Sequence, residues 1–252
     1  MTILPVLIEG KTRRGPWLIT CDHATNVVPE CISGGDLGLP AAEMARHIAY
    51  DIGALGVSRA LGELLDAPVI AANFSRLVID PNRGADDPTL IPQLYDGTII
   101  PGNRHVDAAE RSARLASLYE PYHKAIANAA ADRDVAFLSV HSFTPQLKGR
   151  PPRPWDVGVL SAGDRRLADP LIALLSEHLD SPVGDNEPYV GSFPGDALSQ
   201  HAHSSGRPNV LLEIRQDLIT TPQGQQLWAT RLAPNLKLAM QTANLGLAPT
   251  SV

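Results

Sequence analysis

Short apolar segments that suit β-strands alternate along this chain with longer segments that suit α-helices. The predicted strands are Trp17–Cys21, Pro68–Ala72, Leu77–Ile79, Val135–Val140, Val157–Leu160 and Val210–Ile214. The predicted helices are Ala54–Leu65, Ala108–Asp132 with a kink or break at Pro121, Arg165–Leu179 and Pro222–Leu238. This alternation is typical of a mixed, mostly parallel sheet with helices on both faces. We therefore predict a three-layer α/β fold.

Three stretches rich in proline and glycine or serine connect these segments: Asp80–Arg104, Thr144–Trp155 and Gly184–Pro208. Long irregular loops in a compact domain are usually functional or disordered. We expect three such loops, attached to one sheet, to form the walls of a functional site. We find no internal repeat and no linker, so we predict a single domain over residues 1–252.

The composition excludes several classes of partner. The formal net charge is −6, whereas nucleic acids and acidic membranes bind basic surfaces. The 2 cysteines are too few for a disulfide scaffold. The sequence contains no run of 18 apolar residues, so it predicts no membrane span. The order of apolar and charged residues at the N-terminus does not suit a signal peptide. We expect a cytoplasmic protein.

Polar residues stand where three of the predicted strands end. His23 follows the first strand, His141 follows Val135–Val140, and Glu213 lies at the end of the last strand. Because the carboxyl ends of strands in an open α/β sheet border the ligand crevice, we expect these side chains to converge. Imidazole is the commonest metal ligand, and a catalytic zinc keeps three protein ligands. The sequence thus predicts a metal-dependent hydrolase with a proton-transfer group beside the metal.

The third ligand is best sought among carboxylates. Asp51 precedes a predicted helix, so it is either a ligand or the helix N-cap, and Glu30 is the alternative ligand. The chain contains neither HExxH nor HxxE, so a metal site must assemble from distant segments.

Other polar residues suggest roles in proton transfer and substrate binding. Glu213 is either a general base or the structural partner of Arg215 or Arg76. His201 is either a group that polarises a carbonyl and holds an oxyanion, or a solvated loop histidine. Arg76 and Arg83 suit a substrate with carboxylate groups, unless Asp80, Asp86 or Asp87 neutralises them.

Taken together, these motifs resemble the N-formylglutamate amidohydrolase family. The resemblance extends in order through nearly the whole chain, over the loop at His23, His47–Ala54, Asn73–Arg83, Pro101–Asn103, Tyr119–His123, His141–Ser142, Trp155–Leu160, Asn186–Tyr189 and Glu213–Ile219. It implies a zinc exopeptidase-like (phosphorylase/hydrolase-like) fold. It also implies hydrolysis of N-formyl-L-glutamate to formate and glutamate, a step of bacterial histidine degradation.

The resemblance also assigns roles to residues. His23 and His141 would bind one Zn²⁺ ion with Asp51 as third ligand, and Glu213 would act as base and then as acid. Arg76, Asn82 and Arg83 would hold the carboxylates of a small anionic N-acyl amino acid. Two alternatives stay open: hydrolysis of a different N-acyl amino acid or small peptide, and non-catalytic binding of a small dicarboxylate.

Overall fold

The computed structural model describes residues 4–147 and 149–247. Its strands are β1 Val6–Glu9, β2 Trp17–Cys21, β3 Val69–Ala72, β4 Leu94–Tyr95, β5 Thr98–Ile99, β6 Ala136–Phe143, β7 Val157–Leu160, β8 Val183–Asp185 and β9 Asn209–Arg215. Its α-helices are α1 Ala41–Met44, α2 Ala54–Leu64, α3 Ala108–Arg114, α4 Glu120–Ala130, α5 Ala168–His178, α6 Ala197–His201 and α7 Pro222–Thr242. None of the helices in these ranges has both the length and the apolar character needed to span a membrane.

The main sheet has seven strands in the order β1-β3-β2-β6-β9-β7-β8 within the described ranges. The four central strands β3, β2, β6 and β9 are parallel. β1 runs antiparallel to β3, and the parallel pair β7 and β8 runs antiparallel to β9. The carboxyl ends of the central strands therefore meet at one edge of the sheet, as the sequence predicted.

Helices cover both faces of this sheet. α2, α5 and α7 pack on one face, and α4 packs on the other. The helices α2, α5 and α7 bury apolar side chains against Ile19, Leu138 and Leu212 of the sheet: Val57, Leu61, Leu171, Trp228 and Leu232. On the opposite face, α4 buries Tyr122 and Ile126 against Leu18, Ile70 and Phe137. Burial of each such side chain stabilises the fold by about 1.5–3 kcal/mol. The predicted three-layer α/β architecture with a mixed, mostly parallel sheet is confirmed.

One predicted strand is absent from the structure, and one predicted helix has an irregular segment next to the expected kink at Pro121. Leu77–Ile79 is not a strand but part of a buried turn, in which the Val78 amide donates to the Ser75 carbonyl oxygen at 2.9 Å. The predicted helix Ala108–Asp132 is divided into α3 and α4 by the π-helical segment Leu115–Tyr119, which ends just before Pro121. Proline has no amide hydrogen to donate, so Pro121 interrupts the backbone hydrogen bonds of an α-helix. The π-helical segment lies directly before this interruption.

Candidate metal centre and active site

Two histidines and an aspartate meet at the edge where the central strands end. His23 follows β2, His141 lies near the end of β6, and Asp51 lies in the segment before α2. Each offers one ligand atom, and these atoms all lie within 4.8 Å of one another. The Asp51 Oδ2 atom lies 3.3 Å from Nδ1 of His23 and 2.8 Å from Nδ1 of His141. All three side chains are buried.

The second nitrogen of each imidazole contacts another buried carboxylate. Nε2 of His23 lies 2.8 Å from Asp80 Oδ1, and Nε2 of His141 lies 2.9 Å from Asp22 Oδ2. Metal-binding histidines typically direct their other nitrogen at such a carboxylate, which fixes the ring and raises its basicity. The pattern thus leaves both Nδ1 atoms directed at Asp51.

The donor set fits a divalent cation. Two imidazole nitrogens and a carboxylate oxygen are ligands that Zn²⁺ accepts. Burial opposes protonation of His141, but its hydrogen bonds to Asp22 and Asp51 outweigh burial and raise its pKa well above the usual range. A cation between the rings and Asp51 would replace the protons on the two Nδ1 atoms. In addition, Oδ1 of Asp51 is buried without a hydrogen-bond partner in the described ranges.

Strand geometry explains how β6 supplies its ligand. Ser139 and His141 are alternate residues, so both side chains project to the face covered by α4, whereas Leu138 and Val140 project to the other. Asp22 accepts hydrogen bonds from Ser139 Oγ at 3.2 Å and from Tyr122 Oη at 2.7 Å. The Asp22 carboxylate that contacts His141 is therefore fixed by two further hydrogen bonds.

Asp51 is positioned by backbone contacts and is not a helix cap. The N-cap of α2 is Gly53, which makes no side-chain cap hydrogen bond, so the N-cap alternative for Asp51 is wrong. The Asp51 amide donates to the His23 carbonyl oxygen at 2.9 Å, and the Ser142 amide donates to Asp51 Oδ2 at 3.3 Å. Gly53 has φ of 82°, and a Cβ there would lie 2.2 Å from the Ile219 carbonyl oxygen. Only glycine permits this tight entry to α2.

Glu213 lies beside the cluster on β9, where it is the register partner of His141. Its side chain is buried, and Oε2 has no hydrogen-bond partner in the described ranges. Burial raises the pKa of this carboxyl from 4.5 to about 7, although His141 opposes the shift. Arg215 pairs instead with Asp156 and Asp217, which argues against it as the structural partner of Glu213.

A cavity of about 820 Å³ opens onto this group. His23, Asp51, His141 and Glu213 line it, together with residues from all three predicted loops. Four arginines also contribute to the lining within residues 4–147 and 149–247: Arg46, Arg76, Arg83 and Arg153. The cavity therefore combines a candidate metal centre with arginine side chains.

The three residues predicted to bind substrate all line this cavity, but their surroundings differ. Arg76 is buried and donates to Asp80 at 2.8 Å, with Asp51 Oδ1 3.5 Å from its Nη1. Arg76 thus takes the structural alternative and orients the carboxylates around the two histidines. Oδ1 of Asn82 accepts a hydrogen bond from the Ala197 amide at 3.1 Å. The Arg83 guanidinium lies over the Phe193 ring, 4.4 Å from its centroid.

Two candidates lie elsewhere. Nε2 of His201 lies 2.8 Å from Nδ1 of His123, the two rings stack, and His201 does not contribute to the described cavity lining. Its predicted contact with an oxyanion therefore finds no support here. Glu30 is exposed and also lies outside that lining, so the geometry favours Asp51 as the third ligand.

Several residues of the site were not singled out from the sequence. Asp22 and Asp80 contact the second nitrogens of the two histidines, whereas the sequence had suggested Asp80 only as the partner of an arginine. Nδ1 of His47 is buried without a hydrogen bond in the described part of the chain, 3.7 Å from Asp51 Oδ1. Burial lowers the pKa of His47 to about 4. In the sequence, only the spacing of four residues between His47 and Asp51 indicated that the two side chains lie close together.

Comparison with known proteins identifies the family of this chain. The family model described as N-formylglutamate amidohydrolase matches residues 15–220. This chain belongs to the N-formylglutamate amidohydrolase family. The family resemblance of the sequence is thus confirmed.

Individual relatives of this N-formylglutamate amidohydrolase family member cover most of its length. An N-formylglutamate deformylase of Pseudomonas aeruginosa is 29% identical over 216 residues, which are 77% of this chain and 77% of that protein. The crystal structure of a gene product from Agrobacterium tumefaciens is 36% identical, with a TM-score of 0.88 over 95% of this chain and 96% of that one. An N-formylglutamate amidohydrolase from Ralstonia eutropha JMP134 has a similar fold, with a TM-score of 0.60 at 23% identity over 96% and 98% of the two chains.

Proposed function

We propose that this protein is a metal-dependent amidohydrolase that cleaves an N-acyl amino acid, with N-formyl-L-glutamate as the first candidate. The products would be formate and glutamate, which would give the enzyme a role in histidine degradation. Family membership and the Pseudomonas aeruginosa relative named N-formylglutamate deformylase support the reaction class. The observation that carries the proposal is a buried carboxylate, Glu213, beside a His-Asp-His cluster at a cavity that four arginines help to line.

His23, Asp51 and His141 would hold one divalent ion, for which Zn²⁺ is the natural candidate given two imidazoles and a carboxylate. When bound, such an ion polarises the acyl carbonyl and makes a water molecule more acidic. Asp22 and Asp80 contact Nε2 of the two rings, which would leave both Nδ1 atoms to bind such an ion.

Glu213 would move the proton. As the carboxylate, it accepts a proton from the water molecule that attacks the acyl carbon. As the neutral acid, it returns that proton to the amide nitrogen, so the C–N bond breaks and a free amine leaves. A pKa of about 7 lets one group perform both steps near neutral pH. Burial causes this pKa, so the sheet that carries Glu213 also tunes it.

Substrate carboxylates would be bound by arginines of the cavity that have no carboxylate partner. Arg83 keeps its guanidinium free of carboxylate partners within the described ranges, and Phe193 holds it by stacking. Asn82 lies beside it on the same turn. Arg76 is committed to Asp80 and Asp51, so we assign it to the orientation of these carboxylates.

The decisive experiment measures formate release from N-formyl-L-glutamate by the purified protein with and without added Zn²⁺, together with its metal content. We expect stoichiometric metal and turnover that a chelator abolishes. Glu177→Gln on the exposed face of α5 is a matched control for Glu213→Gln. Absence of turnover both with and without added Zn²⁺ would reject N-formyl-L-glutamate as the substrate.

A different acyl group is the second candidate. A cavity of about 820 Å³ lies in the upper part of the range of roughly 300–1,000 Å³ seen for ligand sites, whereas N-formylglutamate is a small molecule. A panel of N-formyl, N-acetyl and N-succinyl glutamate separates the candidates by kcat/KM. A non-catalytic dicarboxylate-binding protein would hydrolyse none of them, and Glu213→Gln would leave its ligand affinity unchanged.

A further inference from the structure

The four arginines of the cavity differ in whether a carboxylate neutralises them. Arg46 pairs with Glu43 and Asp96, and Arg76 pairs with Asp80. Within residues 4–147 and 149–247, neither Arg83 nor Arg153 has a carboxylate oxygen within 4.0 Å of its guanidinium. The cavity therefore contains two arginines without a carboxylate partner at ion-pair distance, and the sequence motifs had indicated only Arg83.

The Arg153 guanidinium is held in a fixed orientation without being neutralised. Its Nη1 donates to the carbonyl oxygen of Thr144 at 3.0 Å and contacts Thr144 Oγ1 at 3.1 Å. Its Cζ lies 5.5 Å from the ring centroid of Phe143 and 5.1 Å from that of Tyr189. All its side-chain hydrogen bonds in the described ranges involve Nη1, so Nε and Nη2 stay available to a ligand. A planar guanidinium fixed in this way is suited to bind a carboxylate through two hydrogen bonds.

Tyr189 adds a neutral donor at the same place. Its hydroxyl lies 3.4 Å from Arg153 Nη1, and both residues line the cavity together with Glu213. Burial raises the pKa of Tyr189 to about 12, with a further contribution from the charge of Glu213. The phenol therefore keeps its proton at neutral pH and can donate it to an anionic oxygen.

Arg83 lies on a turn that is linked to the metal cluster. The amide of its neighbour Asn82 donates to Asp80 Oδ1 at 2.9 Å, and the same oxygen contacts His23. In any N-acyl amino acid a single carbon separates the α-carboxylate from the reacting amide nitrogen. The α-carboxylate must therefore bind close to the metal cluster, which favours Arg83, whereas a longer side chain reaches further along the cavity.

We propose that Arg153, assisted by the hydroxyl of Tyr189, is the specificity-determining residue that binds the side-chain carboxylate of an acidic N-acyl amino acid, whereas Arg83 binds its α-carboxylate. This inference rests on the proposed function and deepens it by separating general recognition of amino acids from selection of an acidic side chain. It adds to the site a residue from the loop Thr144–Trp155.

The test compares N-formylglutamate with its neutral isostere N-formylglutamine. In Arg153→Gln we expect kcat/KM for N-formylglutamate to fall about 100-fold, while kcat/KM for N-formylglutamine stays within about twofold. Arg83→Gln should lower both values to a similar extent. Tyr189→Phe should give a smaller loss confined to N-formylglutamate, and Arg153→Lys should restore part of the preference. Arg150→Gln is the matched control, because Arg150 is exposed on the same loop and outside the described cavity lining.

Equal losses on both substrates in Arg153→Gln, at an unchanged melting temperature, would overturn the specificity role. A binding measurement separates this failure from a failure of the proposed function. Calorimetry with L-glutamate and L-glutamine on the Zn²⁺-loaded protein does not depend on turnover. We expect the wild type to prefer glutamate and Arg153→Gln to lose that preference. A preference that survives the substitution would reject the inference even if the protein hydrolyses no substrate of the panel.

Discussion

Glu213→Gln should stabilise the metal-free protein at alkaline pH, although it removes the proposed base. Burial raises the pKa of Glu213 from 4.5 to about 7, so between these values the folded state holds a proton that the unfolded chain has lost. Since stability falls with pH wherever the folded state binds more protons, Glu213 destabilises the fold progressively from about pH 4.5 to 7. At roughly 1.4 kcal/mol per pH unit, this interval amounts to about 3 kcal/mol.

Urea unfolding of the chelator-treated wild type and of Glu213→Gln at pH 4.5 and pH 8.5 measures this quantity. Because glutamine does not titrate, the stability difference between variant and wild type should grow by about 3 kcal/mol from the lower to the higher pH. Exchange of an oxygen for an amide group adds only a pH-independent offset, which cancels in that comparison. Glu177→Gln controls for the loss of a solvated carboxylate. A stability difference that does not change with pH would refute the assignment of a strongly raised pKa to Glu213.

Three further predictions concern the metal site and its chemistry. Asp80→Asn should weaken metal binding about 10–100-fold, because His23 loses the carboxylate that orients its ring. A chelator competition measures this affinity, and Asp86→Asn is the control because Asp86 is exposed. Equal metal affinities of Asp80→Asn and the wild type would contradict the prediction. Glu213→Gln should lower kcat by about 10²–10⁴ with little change in KM, and wild-type kcat should rise as pH increases toward 7 because Glu213 becomes ionised. Arg76→Met should cost about 3–5 kcal/mol of unfolding free energy by leaving Asp80 buried without its cation. A loss below about 1 kcal/mol would show that Asp80 does not depend on this pair.

Much of the scaffold was predictable because the central strands are buried on both faces. Trp17–Cys21 is buried throughout, and its continuous run of β-favouring residues gives a clear signal. The convergence of His23, His141 and Glu213 followed from topology, since parallel strands end at the same edge.

The remaining features depend on distances that a sequence does not contain. The short apolar run Leu77–Ile79 suggested a strand, but a buried turn can have the same run of apolar residues. Arg76 and Arg83 flank that run in the sequence, but only coordinates show that Asp80 neutralises one of them and not the other. Arg153 gave no signal at all, because its role rests on rings from two other segments.

The division between strands and loops in this cavity has an evolutionary consequence. His141 and Glu213 are fixed in two adjacent central strands, whereas Arg83 and Arg153 belong to surface connections. Substitutions or insertions in those connections can alter which amino acid is accepted without disturbing the bond-breaking groups. A lineage built on this scaffold can therefore diversify its substrates while it retains a single hydrolytic reaction.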